Sequence, residues 1–269
     1  MIAIPLTPVV LFLLFLFLIA PKKRREMDAF KNKMYAHRGL HNGERAENSM
    51  SAFKAAVEKG YGIELDIRLS KDGQLVVFHD DTLGRVCGVE GKVIDFTREE
   101  LSRLSLNGTG EGIPLFADVL KMVDGRVPLL VEIKEDPGNK AVSLAACQML
   151  SEYKGDYIVE SFNPLSLRTV KKTDKKIVRG VLSEKFYQHK EYRKPMYMAL
   201  QLLLLNFLAR PAFIAFEHTH HSAFALRLCR GLFKVPTLAW TVRSAEDEAE
   251  ARKNGFDGII FENYLPNEK

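Results

Sequence analysis

Cysteine is scarce in this sequence. Its three residues, Cys87, Cys147 and Cys229, are an odd number at wide spacing, with no Cys-x-x-Cys pair. This scarcity argues against a disulfide framework and against a cysteine-ligated zinc site, so reduced thiols in a reducing compartment fit best. The chain also lacks internal repeats, and it lacks the interleaved basic and aromatic motifs typical of proteins that bind DNA or RNA.

The overall composition is that of a folded protein. Apolar residues make up 46% of the chain and charged residues 27%, which excludes both a disordered chain and a multi-span membrane protein. Removing an apolar N-terminal stretch leaves about 243 residues, close to the roughly 250 of one (β/α)8 barrel. Two smaller domains are the less favoured division.

Positive charge is concentrated in two places. Lys22, Lys23, Arg24 and Arg25 are consecutive, and residues 171–194 hold nine Lys or Arg against three Asp or Glu. Since the whole chain carries only +5, the remainder is acidic. Two basic segments on an acidic body indicate contact with an anionic surface, and membrane phospholipid is a better candidate than nucleic acid.

The N-terminus predicts a membrane anchor. Residues 1–20 carry no charged side chain, and as a helix they would extend about 30 Å, the thickness of a bilayer core. The basic cluster follows the apolar run, which is the reverse of a secretory signal. We therefore expect residues 1–26 to form a single-pass anchor at a membrane and residues 27–269 to form one cytoplasmic domain.

Short apolar or β-branched runs alternate with helix-length segments along the rest of the chain. The runs cover residues 34–37, 63–68, 75–79, 127–134, 157–161, 177–181, 212–216, 237–242 and 258–261. This alternation predicts an α/β fold with a parallel sheet, although a barrel and an open doubly wound sheet would give the same pattern. The glycine-rich stretch of about residues 80–114 breaks the alternation and predicts an insertion.

Charged residues interrupt two of the predicted strands. Glu64 and Asp66 share one face of a strand whose other face is apolar, and Glu132 and Lys134 share a face of another. Buried carboxylates need compensation, and a divalent cation can provide it. The alternative is a structural salt-bridge network in which Glu64 and Asp66 pair with Arg68 and Lys134.

Two histidines favour a catalytic site over the structural network. His37 and His79 each end a predicted strand, and active sites of parallel α/β proteins form at the carboxyl ends of strands. Such a histidine pair beside oxygen ligands favours general acid and base roles. Glu64, Asp66 and Glu132 carry three negative charges, and a divalent cation with Arg38 and Lys134 would supply four positive ones. The excess of one positive charge suits a phosphodiester, which carries one negative charge.

The sequence resembles the glycerophosphodiester phosphodiesterase family from about residue 34 to its C-terminus. The ordered motifs that carry the resemblance are Tyr35-Ala36-His37-Arg38-Gly39, Ala46-Glu47-Asn48-Ser49, Ile63-Glu64-Leu65-Asp66, Lys71-Asp72-Gly73, Val76-Val77-Phe78-His79-Asp80, Val131-Glu132-Ile133-Lys134, Ser161-Phe162-Asn163 and Ala239-Trp240-Thr241-Val242. The chain has Ala46 and Ser49 where the family usually has proline and threonine, and Glu262 and Asn263 replace its usual last-strand pattern.

The resemblance implies a (β/α)8 TIM barrel, with a small insertion after the third strand motif, and a bound Mg²⁺ or Ca²⁺. It implies general acid and base roles for His37 and His79, metal ligation by Glu64, Asp66 and Glu132, and substrate contacts by Arg38, Lys134, Phe162 and Trp240. The implied reaction is the hydrolysis of glycerophosphodiesters, with lysophospholipids as a further substrate class, to glycerol 3-phosphate or a phosphomonoester plus an alcohol.

Two other functions stay open at this stage. One is a membrane phospholipase that acts on intact phosphoinositide or sphingolipid head groups, and the other is a catalytically silent, membrane-tethered binding protein. The apolar block at residues 196–208, which follows a basic, tyrosine-rich stretch, allows two interpretations: a barrel helix or a segment that touches the bilayer.

Overall fold

The computed structural model of the chain describes residues 6–136 and 138–266. Its nine β-strands are β1 (Met34–Ala36), β2 (Gly62–Leu69), β3 (Leu75–Val77), β4 (Leu129–Ile133), β5 (Tyr157–Ser161), β6 (Arg179–Ser183), β7 (Phe213–Glu217), β8 (Thr237–Val242) and β9 (Gly258–Phe261). Each of them overlaps one of the predicted runs.

Eleven α-helices are present in the described part of the chain. They are α1 (Leu6–Ile19), α2 (Met50–Glu58), α3 (Gly84–Cys87), α4 (Arg98–Ser102), α5 (Phe116–Val123), α6 (Ala141–Glu152), α7 (Pro164–Thr173), α8 (Pro195–Gln201), α9 (Asn206–Ala209), α10 (Phe224–Gly231) and α11 (Ala245–Lys253). Short 3-10 turns connect several of them, including the turn Arg25–Ala29 that leads into β1.

Eight parallel strands close into a barrel. The order runs from β1 through β9, β8, β7, β6, β5 and β4 to β2, and β2 pairs again with β1. The barrel expected from the family resemblance is therefore confirmed, and the open sheet is excluded. The third predicted run differs from the others: β3 pairs antiparallel with β2 and lies outside the ring.

The core has two layers, as the alternation along β2 requires. Ile63, Leu65 and Ile67 are fully buried against the surrounding helices. The opposite side of the same strand carries the charged residues and faces the barrel interior. Met27 and Phe30 pack with the apolar interior residues of the barrel, so the segment before β1 closes it at the amino-terminal ends of the strands.

The segment between β3 and α5 has a small core of its own. Val86, Leu101 and Leu106 are buried within it, and α4 begins at a capping box in which Thr97 and Glu100 bind each other's backbone N–H groups. The insertion predicted from the sequence, about residues 80–114, falls within this segment.

The predicted transmembrane anchor is wrong. The described part of helix α1 has 14 residues, about 21 Å at 1.5 Å per residue, against roughly 30 Å of bilayer core. Across residues 6–136 and 138–266, no helix has the length and apolar character needed to cross a membrane. The end of α1 instead lies on the barrel, where Asn206 donates to the Ile19 carbonyl at 2.9 Å. Residues 1–5 of the predicted anchor lie outside the described residues, and the cytoplasmic placement derived from the anchor loses its basis.

The apolar block at residues 196–208 forms two short helices rather than one. Helix α8 ends at Gln201, and α9 begins at Asn206. Leu203 between them is buried in the main core, whereas Met196 is 60% exposed. The block therefore has a structural role in part, and its contact with a bilayer stays a prediction.

Candidate active site

A cavity of about 180 Å³ opens at the carboxyl ends of the barrel strands. Eight of the nine residues proposed from the sequence line it: His37, Arg38, Glu64, His79, Glu132, Lys134, Phe162 and Trp240. The ninth, Asp66, is buried beside them in a carboxylate cluster. Residues distant in the sequence thus meet in one place because the barrel brings its strand ends together.

The carboxylate cluster consists of Glu64, Asp66 and Glu132. One oxygen from each lies within 4.8 Å of the others, and all three residues are buried. The parallel register between β2 and β4 causes this arrangement, since Asp66 stands directly opposite Glu132. This is a set of hard oxygen donors of the kind that Mg²⁺ and Ca²⁺ prefer.

Cationic and amide groups hold part of the cluster in place. The Lys134 ammonium lies 2.8 Å from Glu132 and 3.3 Å from Asp66. Asn48 donates to Asp66 Oδ2 at 2.8 Å, and the backbone N–H of Arg38 donates to Glu64 Oε2 at 2.8 Å. The structural network considered above therefore exists through Lys134, although it does not include the side chain of Arg68.

Arg68 points away from the cluster. Its Nε donates to the His79 carbonyl at 2.9 Å, and its Nη1 lies 3.7 Å from Asp81. The guanidinium thus orients the loop that carries His79 instead of neutralising a buried carboxylate.

The negative charge of the cluster is only partly compensated by its neighbours, which favours the binding of a cation. Burial, together with the charges of Asp66 and Glu132, raises the pKa of Glu64 well above its ordinary value. Burial also raises the pKa of Glu132 to about 7, against the opposing effect of Lys134. Asp66 is the exception, because Lys134, His79 and Arg38 outweigh its burial and lower its pKa. Protonation relieves the excess negative charge here, and a divalent cation would relieve it as well.

Each of the two histidines is held by a carboxylate. His37 Nδ1 lies 2.6 Å from Glu262 Oε2, and His79 Nδ1 lies 2.6 Å from Asp80 Oδ1. An ionised carboxylate can only accept, so Nδ1 carries the hydrogen in both rings and Nε2 is the nitrogen left for chemistry. Glu262 stands in the motif that departs from the family pattern, and neither partner was assigned a role from the sequence.

Burial lowers the pKa of both imidazoles. For His79 burial is the largest cause, and with the charges of Lys134 and Arg38 it outweighs the effect of Asp66 and brings the pKa to about 4. For His37 burial, which lowers the pKa, outweighs the hydrogen bond that the ring donates to Glu262, which raises it. Both rings are therefore neutral at pH 7, with a lone pair on Nε2 that can take up a proton.

An arginine bridge links the surroundings of the two histidines. Arg85 binds Asp80 at 2.6 Å and Glu47 at 2.7 Å, and Arg38 binds the same Glu47 at 2.8 Å. Glu47 lies in the motif Ala46-Glu47-Asn48-Ser49, and it positions Arg38 together with Arg85, a residue of the predicted insertion. Arg85 lies 38 residues further along the chain and could not be assigned to it from spacing.

An aromatic wall closes one side of the cavity. Phe162 and Trp240 meet edge to face with ring centroids 5.5 Å apart, and the Lys134 ammonium lies 5.9 Å from the centre of the Phe162 ring. Among the hydrogen bonds of the described residues there is none for the buried Trp240 Nε1. The wall thus offers apolar surface and one donor to a bound molecule.

The sequence analysis missed Glu160. This residue is 1% exposed, lines the cavity and stands opposite Glu132 in the register of β5 with β4. Its Oε2 atom is buried and has no hydrogen-bond partner within the described part of the protein. Burial raises the pKa of Glu160 well above its usual range, and the charges of Glu132 and Glu64 add to the effect.

A (β/α)8 barrel with a buried carboxylate cluster, two carboxylate-held imidazoles and two cations in one cavity defines the phosphoryl-transfer class of enzyme. The model of the glycerophosphoryl diester phosphodiesterase family matches residues 37–264. The chain belongs to that family, and it is a phosphoric diester hydrolase.

Individual relatives agree with this assignment. The chain is 35% identical over 246 residues to the glycerophosphodiester phosphodiesterase of Caldanaerobacter subterraneus subsp. tengcongensis, covering 86% of this chain and 93% of the relative. The structure of the glycerophosphodiester phosphodiesterase of Thermotoga maritima aligns with a TM-score of 0.67 and 26% identity over 86% of this chain and 94% of that one. A phosphodiesterase from Oleispira antarctica, solved with the product sn-glycerol-3-phosphate, shares the fold with a TM-score of 0.71 and 22% identity over 87% and 94% of the chains.

Proposed function

We propose that this enzyme hydrolyses glycerophosphodiesters, with lysophospholipids in its range, to glycerol 3-phosphate or a phosphomonoester plus an alcohol. The observation that carries the proposal is the single cavity in which a carboxylate cluster and two imidazoles meet. Its volume of about 180 Å³ lies below the roughly 300–1,000 Å³ of pockets that enclose larger ligands, so it suits a polar head and not a whole lipid.

Enzymes of this family use a divalent metal, and the buried acidic cluster is compatible with one. We assign its ligands to Glu64, Asp66 and Glu132 and its identity to Mg²⁺ or Ca²⁺, because all three donors are carboxylate oxygens. When bound, such an ion supplies a Lewis acid that polarises a phosphoryl oxygen and lowers the pKa of a bound hydroxyl or water.

The side chains around the cluster then divide the remaining work. Arg38 and Lys134 bind the phosphodiester anion, and Phe162 and Trp240 pack against its organic part. One of His37 and His79 removes a proton from the attacking hydroxyl at Nε2. The other is neutral in the free enzyme, so it must first take up a proton at Nε2, which the negative charge of the bound phosphodiester favours, before it donates that proton to the leaving alcohol. The nucleophile is either water or the neighbouring glycerol hydroxyl, which would give a cyclic phosphate first. Residues 27–269 form the proposed catalytic unit.

A substrate and metal panel tests this proposal. We expect turnover of soluble glycerophosphocholine and of lysophosphatidylcholine with Mg²⁺ or Ca²⁺, loss of turnover in EDTA and recovery when the ion is restored. The released phosphate compound is identified by mass spectrometry. Cleavage of intact phosphoinositides without any cleavage of glycerophosphocholine would contradict the proposal. The predicted anionic-lipid partner of the basic segments stays a prediction.

Glu160 has the geometry of a substrate contact. Glu160 lines the cavity and its buried Oε2 has no partner among the described residues, so we propose that Glu160, as a neutral acid, donates a hydrogen bond to an oxygen of the bound head group. Glu160→Gln keeps a donor at this position, and its KM should stay within about threefold of the wild type. Glu160→Leu removes the donor and should raise KM about tenfold with a smaller effect on kcat.

Steady-state kinetics of the two variants at saturating metal separate this role from metal ligation. Equal KM values for Glu160→Leu and the wild type would refute the contact. A large loss of metal affinity in Glu160→Gln would instead make Glu160 a fourth ligand.

A further inference from the structure

The two basic segments of the sequence meet in a second cavity, which the proposed reaction does not use. Its volume is about 810 Å³, several times that of the active-site cavity. Its lining includes eight cationic side chains: Lys22, Lys23, Arg24, Arg25, Lys171, Lys175, Arg179 and Arg210. We call it the basic cavity.

The basic cavity lies at the end of the barrel opposite the proposed active site. Arg179 is the first residue of β6, whereas Leu182 near the other end of the same strand lines the active-site cavity. Three residues of extended strand separate them, about 10 Å. A molecule bound in the basic cavity would therefore not be the substrate bound for cleavage.

Positive charge in the basic cavity is almost uncompensated. Among the described residues, Glu26 is the only carboxylate in the lining, and Arg24 binds it at 2.6 Å. None of the other seven cationic side chains forms an ion pair with a carboxylate in the described parts of the chain. Like charges held this close repel one another, so the arrangement favours a bound anion.

Arg179 is the most informative of these side chains. It is only 4% exposed, and its Nε and Nη1 donate to the carbonyls of Ala209 at 2.8 Å and Ile177 at 3.2 Å. Backbone carbonyls thus fix the orientation of the guanidinium but do not neutralise it. A buried, unpaired charge is costly, and this one borders the cavity.

The neighbouring cations are fixed in the same way. Arg24 donates to the carbonyl of Lys175 at 2.7 Å, Lys171 donates to the carbonyl of Leu208 at 3.0 Å, and Arg210 donates to that of Phe17 at 2.8 Å. Burial lowers the pKa of Lys171, and the charges of nearby arginines lower it further. Four of the eight cations are therefore held in position before a ligand arrives.

We propose that the basic cavity binds an anion that carries two or more phosphate groups. One phosphate is satisfied by two or three cations, so eight cations around 810 Å³ exceed what a single phosphate needs. Among the described residues, those that line the cavity include no aromatic side chain, and Phe17, which packs on Arg210, lies outside the lining. A lining without a row of aromatic rings argues against single-stranded nucleic acid. The same phosphate chemistry occurs in soluble polyphosphates and in closely spaced anionic lipid head groups.

Calorimetric titration of the full-length protein with inorganic tripolyphosphate, at about 50 mM salt, tests the proposal. The exposed triple variant Lys22→Gln, Lys23→Gln, Lys175→Gln should lose at least about tenfold in affinity. The matched control, Lys59→Gln, Lys121→Gln, Lys154→Gln, removes the same charge from exposed positions outside the cavity and should bind like the wild type. Turnover of glycerophosphocholine should be unchanged in both variants.

A second arm identifies the source of the phosphates. Co-sedimentation with phosphatidylglycerol vesicles, compared with phosphatidylcholine vesicles, shows whether the cavity takes lipid head groups. The site is supported if the triple variant, but not the control variant, loses binding to tripolyphosphate or to the vesicles. The probe whose binding is lost identifies the source of the phosphate groups. The proposal is overturned if the wild type binds neither probe. It is also overturned if the triple variant binds each probe that the wild type binds as tightly as the control variant does.

Discussion

Replacing His37 or His79 by alanine is expected to lower kcat/KM at least about 100-fold, because each replacement removes one of the two proposed proton-transfer groups. The two rings line the same cavity, and each is oriented through Nδ1 by a carboxylate that leaves Nε2 for the reaction. The loss should appear mainly in kcat, since neither ring is assigned to binding. Steady-state assays with glycerophosphocholine measure it.

The quality of the leaving group separates the two histidines. A substrate with an activated leaving group, such as a nitrophenyl phosphodiester, needs little help from a general acid, so the variant that lacks the acid should recover a large part of its rate. The variant that lacks the base should not recover. His189→Ala is the matched control, because His189 is exposed and does not line the cavity. Near-normal rates with either cavity variant would remove that histidine from the mechanism.

The fold was predictable because local patterns determine most of it. In β2 the alternation of Ile63, Glu64, Leu65 and Asp66 separates an apolar face from a charged one, and the barrel uses both faces as the alternation requires. The antiparallel pairing of β3 was not predictable, because the apolar run that forms it has the same composition as a barrel strand. Strand composition does not encode the choice of partner.

The site was predictable where a charge interrupts a strand. Glu160 gives a signal like that of Glu132, a single carboxylate in a mainly apolar strand, so the criterion that found Glu132 should have found Glu160 as well. Glu262 and Arg85 gave no such signal. Their roles depend on contacts with His37 and Glu47, residues that are far away in the sequence, and only the closed barrel and the folded insertion create these contacts.

The anchor prediction failed for a related reason. The prediction treats residues 1–20 as one helix, whereas the described helix has 14 residues. Composition could not show that the residues at its end make contacts with the protein. Phe15 stacks on Phe224 with ring centroids 5.9 Å apart, and Cys229 contacts the carbonyl of Ile19. Apolar sequence alone does not distinguish a helix that lies partly on a protein from one that spans a bilayer.

Asp66→Asn should lower kcat/KM by at least about 1,000-fold, the equivalent of roughly 4 kcal/mol of transition-state stabilisation from the bound ion. The substitution keeps the volume of the side chain but removes the charge from the one member of the cluster whose pKa is lowered. Asp66 also stands opposite Glu132 and accepts a hydrogen bond from Asn48, so the change weakens the cluster at its centre.

Metal binding by the wild type should release protons, and this gives a readout independent of turnover. The pKa of Glu132 is raised to about 7, so this carboxyl is partly protonated near neutral pH and must lose its proton when it ligates a cation. The pKa of Glu64 is raised as well, which acts in the same direction. Affinity for Ca²⁺ should therefore rise with pH through the region around 7. Calorimetry in buffers of different ionisation enthalpy measures both the affinity and the protons released.

The two readouts together decide the role of Asp66. We expect the variant to bind Ca²⁺ far more weakly than the wild type, whereas Asp118→Asn, an exposed carboxylate on α5, should bind it normally and retain full turnover. Normal Ca²⁺ affinity in Asp66→Asn would contradict the proposed ligand set even if activity fell. In that case the activity loss would have to come from the contacts of Asp66 with Lys134 and Asn48, since Asp66 helps to position Lys134, the proposed phosphate-binding cation, whether or not a metal ion is bound.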